Sequence, residues 1–365
     1  MSATLEKISR EGTSIWLDDL SRSRLLVQDG KSRLHLTRSA SVVGVTTNPA
    51  IFANALKDAS TYKDAIDSLK GKSADEAIRH ITTEDVRLAC DQLREIYDRS
   101  AGVDGRVSIE VDPRLAHDET GTITQARELW REVARENLFI KVPATKAGLP
   151  AISTLISEGI SINVTLIFSL ERYREVLLAY LRGLEKRLAD GHSLDGIQSV
   201  ASFFVSRVDS AIDPVLDGLN TPEARALRGR AAVANARLAY QIFEEVSASD
   251  RFQRIANAGG ALQRPLWAST GVKDKAYDPA KYVVELIAPD TVNTMPEPTI
   301  HAAGAFTGDI SNSISGSYTE AQNVFKKLSE LGISYENVVG ELERDGISKF
   351  IDAWEALIAT ISTQL

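Results

Sequence analysis

At residues 138–145 the sequence reads LFIKVPAT, a short apolar run that ends near a proline. This pattern is typical of a buried β-strand, because a proline cannot donate to a sheet ladder and so closes it. Lys141 lies in the middle of the run. Burial disfavours the ammonium form of a lysine, and the neutral amine can attack a carbonyl carbon to form a Schiff base. The simpler alternative is a strand-end lysine whose ammonium reaches solvent.

The composition indicates an ordinary globular protein. The chain has 365 residues, of which 43% are hydrophobic, and its net charge is -8. This acidic balance argues against a nucleic-acid surface or a polybasic membrane anchor. No apolar run approaches the roughly 20 residues of a membrane-spanning helix, and the first residues lack the basic and apolar parts of a secretion signal. We therefore expect a cytoplasmic protein.

Cysteine and histidine usage limits the chemistry further. Cys90 is the only cysteine, so no internal disulfide can form, which fits a reducing cytoplasm. The five histidines are scattered, and none pairs with another at the spacing of metal ligands. The sequence therefore predicts no metal site and no other cofactor, and it argues against metal-dependent aldol chemistry.

Seven further stretches have the alternation or the apolar composition of strands. They are residues 14–18, 42–49, 106–112, 161–166, 198–205, 265–269 and 290–294. Helical patterns separate them, so the order of elements predicts an α/β fold, and eight strands fit a closed (β/α)8 TIM barrel with additional helices. An open doubly wound sheet is the alternative. It is less favoured because no glycine-rich phosphate loop follows the first strand.

Three helical regions are longer than simple crossovers require. We expect helical insertions or extensions near residues 60–105, 208–255 and 310–365. Within the first of these regions the pattern predicts breaks near Gly71 and at residues 82–83. The last helix is predicted to pack through an apolar stripe that contains Phe350. Since no repeat or proline-rich linker divides the chain, residues 1–365 are expected to form a single domain.

Polar side chains recur towards the carboxyl ends of the predicted strands, the face on which barrel enzymes build their sites. They are Asp18, Asn48, Glu110, Lys141, Asn163, Thr165, Ser202 and Ser269. Each has a structural alternative: Asp18 could cap a helix, Asn48 could form a turn, and Glu110 could pair with a surface arginine. Their shared position at one end of one barrel is harder to explain as coincidence. We therefore expect these side chains to converge.

Four motifs, taken together and in chain order, resemble those of the transaldolase family. They are GVTTNP at 44–49, VSIEVD at 107–112, FIKVPAT at 139–145 and NVTL at 163–166. The similarity runs from about Trp16 to Thr294, and the C-terminal helices resemble those of the longer bacterial form. The resemblance implies a Schiff-base barrel enzyme of the non-oxidative pentose phosphate pathway. It would transfer a dihydroxyacetone unit from sedoheptulose 7-phosphate to glyceraldehyde 3-phosphate, giving erythrose 4-phosphate and fructose 6-phosphate.

The resemblance also implies roles for individual residues. Lys141 matches the Schiff-base lysine, and Asp18 matches the acid/base that takes the proton from the ketose C4 hydroxyl and returns it to the acceptor. Glu110 and Thr165 match the pair that holds a water for proton transfer during carbinolamine dehydration. The residues that match contacts to the bound three-carbon unit are Asn48, Asn163 and Ser202.

The phosphate site of the family is matched only in part. Arg207 matches the phosphate-binding arginine, whose planar fork suits bidentate contact with phosphate. Shorter family members carry a second arginine two residues after the position of Ser269, and here that position is Gly271. We expect Arg207 to be the main anchor, with Ser269 and Lys273 as helpers.

Two other functions remain open. Another class I aldolase, such as a fructose 6-phosphate aldolase, would share Lys141 but release the three-carbon unit instead of passing it on. A barrel kept as a binding or structural protein is the second alternative, and the presence of Lys141, Asp18 and Glu110 argues against it. The expected partners are phosphorylated sugars, without nucleic acid or membrane, and the chain is expected to be a monomer or a homodimer.

Overall fold

The computed structural model describes residues 2–25 and 41–365. Within these ranges eight parallel strands close into a barrel in chain order. Numbered β1 to β8, they are Thr13–Asp18, Val42–Thr46, Arg106–Glu110, Leu138–Pro143, Ile162–Ile167, Ser199–Phe204, Gln263–Ala268 and Thr291–Met295. β1 pairs with β8 and completes the circle. The prediction of a (β/α)8 TIM barrel with additional helices is confirmed.

Helices surround the barrel and cover part of its carboxyl end. In chain order they are Ala3–Arg10, Arg22–Leu25, Pro49–Ala55, Ala59–Ser68, Ala74–Arg99, Glu119–Val133, Gly148–Ser157, Leu170–Ala189, Ser206–Leu219, Pro222–Arg225, Ala231–Ser247, Asp250–Asn257, Lys281–Val284, Glu297–Ala305, Tyr318–Glu330 and Tyr335–Ser362. The last, here called the final helix, packs on Pro49–Ala55, on Ser206–Leu219 and on the 3-10 turn Pro113–Leu115. It therefore crosses the barrel where β2, β3 and β6 end. In the described part of the chain, no helix has both the length and the apolar character that a membrane crossing requires.

One predicted helix break is confirmed and the other is wrong. The chain leaves helical geometry around Gly71, which has a φ of 87°. Ala74–Arg99 then runs without interruption through Thr82 and Thr83. Each threonine hydroxyl donates to the carbonyl oxygen four residues earlier at 2.8 Å. The buried β-branched pair is thereby accommodated within the helix, although its sequence resembles a break.

Strand register determines which side chains meet inside the barrel. Glu110 pairs with Lys141 across β3 and β4, and Lys141 pairs with Asn163 across β4 and β5. Paired residues of neighbouring parallel strands point to the same side of the sheet. These three side chains therefore occupy one layer of the barrel, near the carboxyl ends of the strands.

The next layer towards the amino ends is filled by aromatic rings. Trp16 and Phe139 lie two residues before Asp18 and Lys141, and their ring centroids are 6.1 Å apart. The neighbouring position on β2 is Gly44, where an added β-carbon would lie 2.5 Å from atoms of the Trp16 ring. Gly44 therefore leaves the space that the indole fills, and the two rings form the floor under the polar layer.

We expect Gly44→Ala to destabilise the fold by about 1–3 kcal/mol, because the added methyl group overlaps an indole that is enclosed by the barrel. The thermal midpoint of unfolding measures the effect. Gly218→Ala is the matched control, since a β-carbon there has nothing within 4 Å. Equal midpoints for the two variants would show that the barrel interior relaxes around the methyl group.

Candidate active site

Lys141 is buried at the carboxyl end of β4, with only 5% of its surface exposed. Its Nζ donates a hydrogen bond to the carbonyl oxygen of Thr47 at 2.9 Å and lies 3.7 Å from Oε2 of Glu110. The ring centroid of Phe350, on the final helix, lies 5.7 Å away. The ammonium therefore does not reach solvent in the way that the simpler interpretation of the sequence requires.

Glu110 is a buried carboxyl group without a hydrogen-bond donor. Among the described residues, neither of its side-chain oxygens has a hydrogen-bond partner. Burial raises the pKa of Glu110 to about 7, although Lys141 acts in the opposite direction. Both protonation states are therefore populated near neutral pH, so this group can donate and accept protons. In the described part of the chain its ion-pair partner is Lys141 and not a surface arginine, which was the structural alternative.

Thr165 carries a second unsatisfied polar group near the same layer. Its hydroxyl is fully buried and, in the residues that the structure describes, has no hydrogen-bond partner. The register of β5 with β6 shifts between Val164 and Ile167, and Leu166 takes a φ of 59°. This bulge changes the direction of the strand directly after Thr165. Buried polar groups are normally hydrogen-bonded, so Thr165 and Glu110 are suited to holding a small polar molecule.

Asp18 ends β1 and is held by neighbouring hydroxyl groups. The Thr46 hydroxyl donates to Oδ1 of Asp18 at 2.8 Å and lies 2.6 Å from the Thr294 hydroxyl. Because Thr46 has one hydroxyl hydrogen, Thr294 donates in the second bond. Desolvation by the surrounding protein raises the pKa of Asp18, and the nearby Lys141 opposes the rise. A carboxylate with a raised pKa is a stronger base than an ordinary aspartate.

A fixed polar network continues from Lys141 around the barrel. The Ser202 hydroxyl donates to Oδ1 of Asn163 at 2.7 Å, and Nδ2 of Asn163 donates to Ser108 at 3.0 Å. All three side chains are buried. Asn48 caps the helix Pro49–Ala55 by accepting from the backbone N–H of Ile51 at 3.0 Å. Asn48 is thus a helix cap, where the structural alternative had a turn residue, and it also lines the barrel mouth.

The open space at the carboxyl end of the barrel, here called the mouth cleft, brings most of the predicted residues together. Its wall includes Asp18, Asn48, Lys141, Ser202, Arg207, Ser269 and Lys273. Glu110, Asn163 and Thr165 lie in the buried layer behind this wall. Ten predicted residues thus lie at one end of the barrel, seven of them on the wall of the cleft and three behind it.

Arg207 brings a partly unsatisfied cationic side chain to the mouth cleft. It lies in the first turn of Ser206–Leu219, with its guanidinium carbon 5.5 Å from the Phe204 ring centroid. In the described ranges its Nη1 is buried without a hydrogen-bond partner. Burial lowers the pKa of Arg207, and Asp345 is the group that opposes this effect. A guanidinium in this setting, at a helix N-terminus, suits an anionic ligand.

The loop after β7 forms the neighbouring part of the wall. Ser269 takes a φ of 55°, and its hydroxyl lies 3.1 Å from the Ser206 hydroxyl at the start of Ser206–Leu219, the helix that follows β6. A β-carbon on Gly271 would lie 3.8 Å from Nζ of Lys273. The Lys273 ammonium is therefore close to where a side chain at position 271 would begin. The Lys273 side chain is nevertheless exposed.

The residues of the mouth cleft that the sequence patterns miss include two on the final helix. Lys349 and Phe350, on the final helix, both line it. The prediction that Phe350 packs in an apolar stripe is confirmed, because it is 8% exposed. The same ring also closes one side of the cleft above Lys141. Helical spacing alone cannot distinguish these two positions, and an exposed lysine beside such a stripe has no distinguishing pattern.

Known proteins are similar to this chain over nearly its whole length. The family described as Transaldolase/Fructose-6-phosphate aldolase matches residues 15–361. Transaldolase 1 of Streptomyces coelicolor is 54% identical over 367 residues, which cover 100% of this chain and 95% of that relative. The transaldolase of Mycolicibacterium smegmatis is 54% identical, with 99% and 97% covered. The transaldolase of Saccharopolyspora erythraea is 52% identical, with 100% and 98% covered. The chain belongs to the Transaldolase/Fructose-6-phosphate aldolase family.

Proposed function

We propose that this enzyme transfers a dihydroxyacetone unit from sedoheptulose 7-phosphate to glyceraldehyde 3-phosphate, giving erythrose 4-phosphate and fructose 6-phosphate. The reaction belongs to the non-oxidative pentose phosphate pathway and passes through a Schiff base on Lys141. The observation that carries the proposal is the buried Nζ of Lys141, 3.7 Å from Oε2 of Glu110, in a layer that meets a cleft also lined by Arg207. The names of the relatives support it. No cofactor is needed, because the protonated imine serves as the electron sink.

Imine formation is the first chemical stage. The neutral amine of Lys141 attacks C2 of the ketose, and the resulting carbinolamine loses its hydroxyl group as water. Glu110 supplies the proton through a water held between its carboxyl group and the Thr165 hydroxyl. A pKa of about 7 lets Glu110 give this proton and recover it when the imine is hydrolysed.

Carbon–carbon cleavage is the second stage. Asp18 takes the proton of the C4 hydroxyl, the C3–C4 bond breaks, and its electron pair passes into the protonated imine to give an enamine on Lys141. Erythrose 4-phosphate leaves as the aldehyde. C3 of the enamine then attacks the aldehyde carbon of glyceraldehyde 3-phosphate, and Asp18 returns its proton to the new C4 hydroxyl.

The three-carbon unit is held by Asn48, Asn163 and Ser202. Ser202 donates to Asn163, which in turn donates to Ser108, so little further ordering is required when the hydroxyl groups of the substrate bind. Such preorganisation keeps the enamine in place while one aldehyde replaces the other.

Phosphate binding is assigned to Arg207, with Ser269 and Lys273 as helpers. We expect Arg207→Ala to raise KM for fructose 6-phosphate about 10- to 100-fold, and Lys273→Ala about 2- to 5-fold. The difference is expected because the partly buried Arg207 forms a stronger charge-assisted bond to phosphate than the exposed Lys273. Steady-state kinetics measures both changes, and an unphosphorylated ketose is the control, since its KM should change little. An unchanged KM in Lys273→Ala would identify it as a solvated loop lysine.

The family description also names fructose-6-phosphate aldolase, so release of the three-carbon unit is the second candidate. The test incubates the enzyme with fructose 6-phosphate, with and without erythrose 4-phosphate. We expect glyceraldehyde 3-phosphate to form at a substantial rate only when the acceptor is present, together with sedoheptulose 7-phosphate. Equal rates without acceptor, with free dihydroxyacetone as product, would assign the chain to the aldolase.

We propose that the enzyme acts in the cytoplasm as a monomer or homodimer, with phosphorylated sugars as its ligands. Cys90 is free and buried, and burial raises the pKa of its thiol, so it suits a reducing compartment and makes an unreactive thiol. Light scattering after size exclusion distinguishes the two assembly states.

A further inference from the structure

The final helix brings an additional cation to the mouth cleft. Lys349 lines this cleft together with Arg207 and Ser269. It directly precedes Phe350, whose ring contacts the region above Lys141. Lys349 belongs to none of the four motifs, and no role in the proposed reaction has been assigned to it so far.

The helix that carries Lys349 is held firmly against the barrel. Gly346, three residues earlier, packs so closely that an added β-carbon would lie 3.2 Å from the side chains of Leu166 and Phe168. At the start of the helix, the Tyr335 hydroxyl accepts from the backbone N–H of Leu170 at 3.0 Å and donates to Asn235 at 2.8 Å. The final helix is therefore anchored by Tyr335 and Gly346 before it reaches Lys349.

Asp345 links the charges of Lys349 and Arg207. It raises the pKa of Arg207 against the effect of burial, and its Oδ2 lies 3.9 Å from Nζ of Lys349. Lys273 also lines the cleft and is among the groups that lower the pKa of Asp18, which burial raises overall. Lys349 therefore shares a neighbouring carboxylate with Arg207, whereas Lys273 also acts on the acid/base group.

We propose that Lys349 binds the phosphate group of the substrate together with Arg207. A sugar phosphate carries nearly two negative charges, and the position of the second arginine of shorter family members is occupied by Gly271. Arg207 and Lys349 both line the mouth cleft and bring two cationic side chains to it. The pair of Lys349 with Asp345 is long and its side chains are 61% and 66% exposed, so exchanging that carboxylate for phosphate costs little. This inference rests on the proposed function, because it concerns substrate recognition in the same cleft.

The test compares Lys349→Gln, Lys349→Arg and wild type with fructose 6-phosphate and with an unphosphorylated ketose. We expect Lys349→Gln to raise KM for fructose 6-phosphate about 5- to 20-fold with little change in kcat, since phosphate is bound alike in ground and transition states. Lys349→Arg should restore most of the loss. Lys327→Gln is the matched control, because Lys327 is an exposed lysine on the preceding helix and does not line the mouth cleft.

Two kinetic results would overturn the proposal, and a binding measurement replaces them if the enzyme shows no turnover. The first is an unchanged KM for fructose 6-phosphate in Lys349→Gln. The second is an equal rise for phosphorylated and unphosphorylated ketoses, which would mean that the substitution acts through the position of the final helix. If wild type turns over no ketose, the proposed function fails, and calorimetric titration with inorganic phosphate then tests Lys349 separately. Weaker phosphate binding in Lys349→Gln supports the inference in that case, and equal binding overturns it.

Discussion

Lys141→Ala should abolish turnover, with kcat lowered by at least about 10⁴-fold, because it removes the amine that forms the covalent electron sink. The lysines that share the mouth cleft, Lys273 and Lys349, are exposed, whereas Lys141 is enclosed beside Glu110. The coupled assay with fructose 6-phosphate and erythrose 4-phosphate measures the loss.

Lys146→Ala is the matched control for this variant. Lys146 lies in the loop directly after β4 and is exposed, so its removal should leave kcat unchanged. Thermal midpoints of both variants show whether the fold is kept. Full activity in a folded Lys141→Ala enzyme would contradict the Schiff-base mechanism.

The second large effect separates the two acidic groups. We expect Asp18→Asn to lower kcat about 10²- to 10⁴-fold, because an amide cannot take the proton of the C4 hydroxyl, while imine formation continues. Glu110→Gln should instead slow imine formation, since its amide cannot transfer the proton to the leaving hydroxyl. Rapid borohydride quenching after mixing with fructose 6-phosphate measures the rate of imine formation in both variants.

The pH dependence provides an internal control for the same assignment. The pKa of Glu110 is raised to about 7, and its protonated form supplies the proton for imine formation. The rate of imine formation in wild type should therefore fall as the pH rises through about 7. Glu110→Gln should remove this change, and Asp18→Asn should keep it. The assignment would be reversed if Asp18→Asn formed no adduct while Glu110→Gln formed it at the normal rate.

The barrel and the polar layer of its site could be predicted because both follow from simple periodicities. An apolar run around Lys141 and strict alternation around Glu110 indicate strands whose polar positions face one side. When the strands pair in chain order, Glu110, Lys141 and Asn163 must become neighbours, and the observed register places them together.

Other features depend on packing that local sequence does not encode. The bulge after Thr165 places Leu166 at a positive φ without a glycine to signal it. Within the continuous helix, the buried hydroxyl of Thr82 is satisfied by a hydrogen bond to the backbone, which propensity alone does not predict. The positions of Lys349 and Phe350 over the barrel follow from the docking of the final helix, so their place in the cleft requires the tertiary structure.

Borohydride trapping in the presence of fructose 6-phosphate, followed by peptide mass mapping, tests the central claim most directly. The account predicts one reduced three-carbon adduct, located on the peptide that contains Lys141 and absent from Lys141→Ala. An adduct on a different lysine, or turnover that proceeds without any adduct, would contradict it.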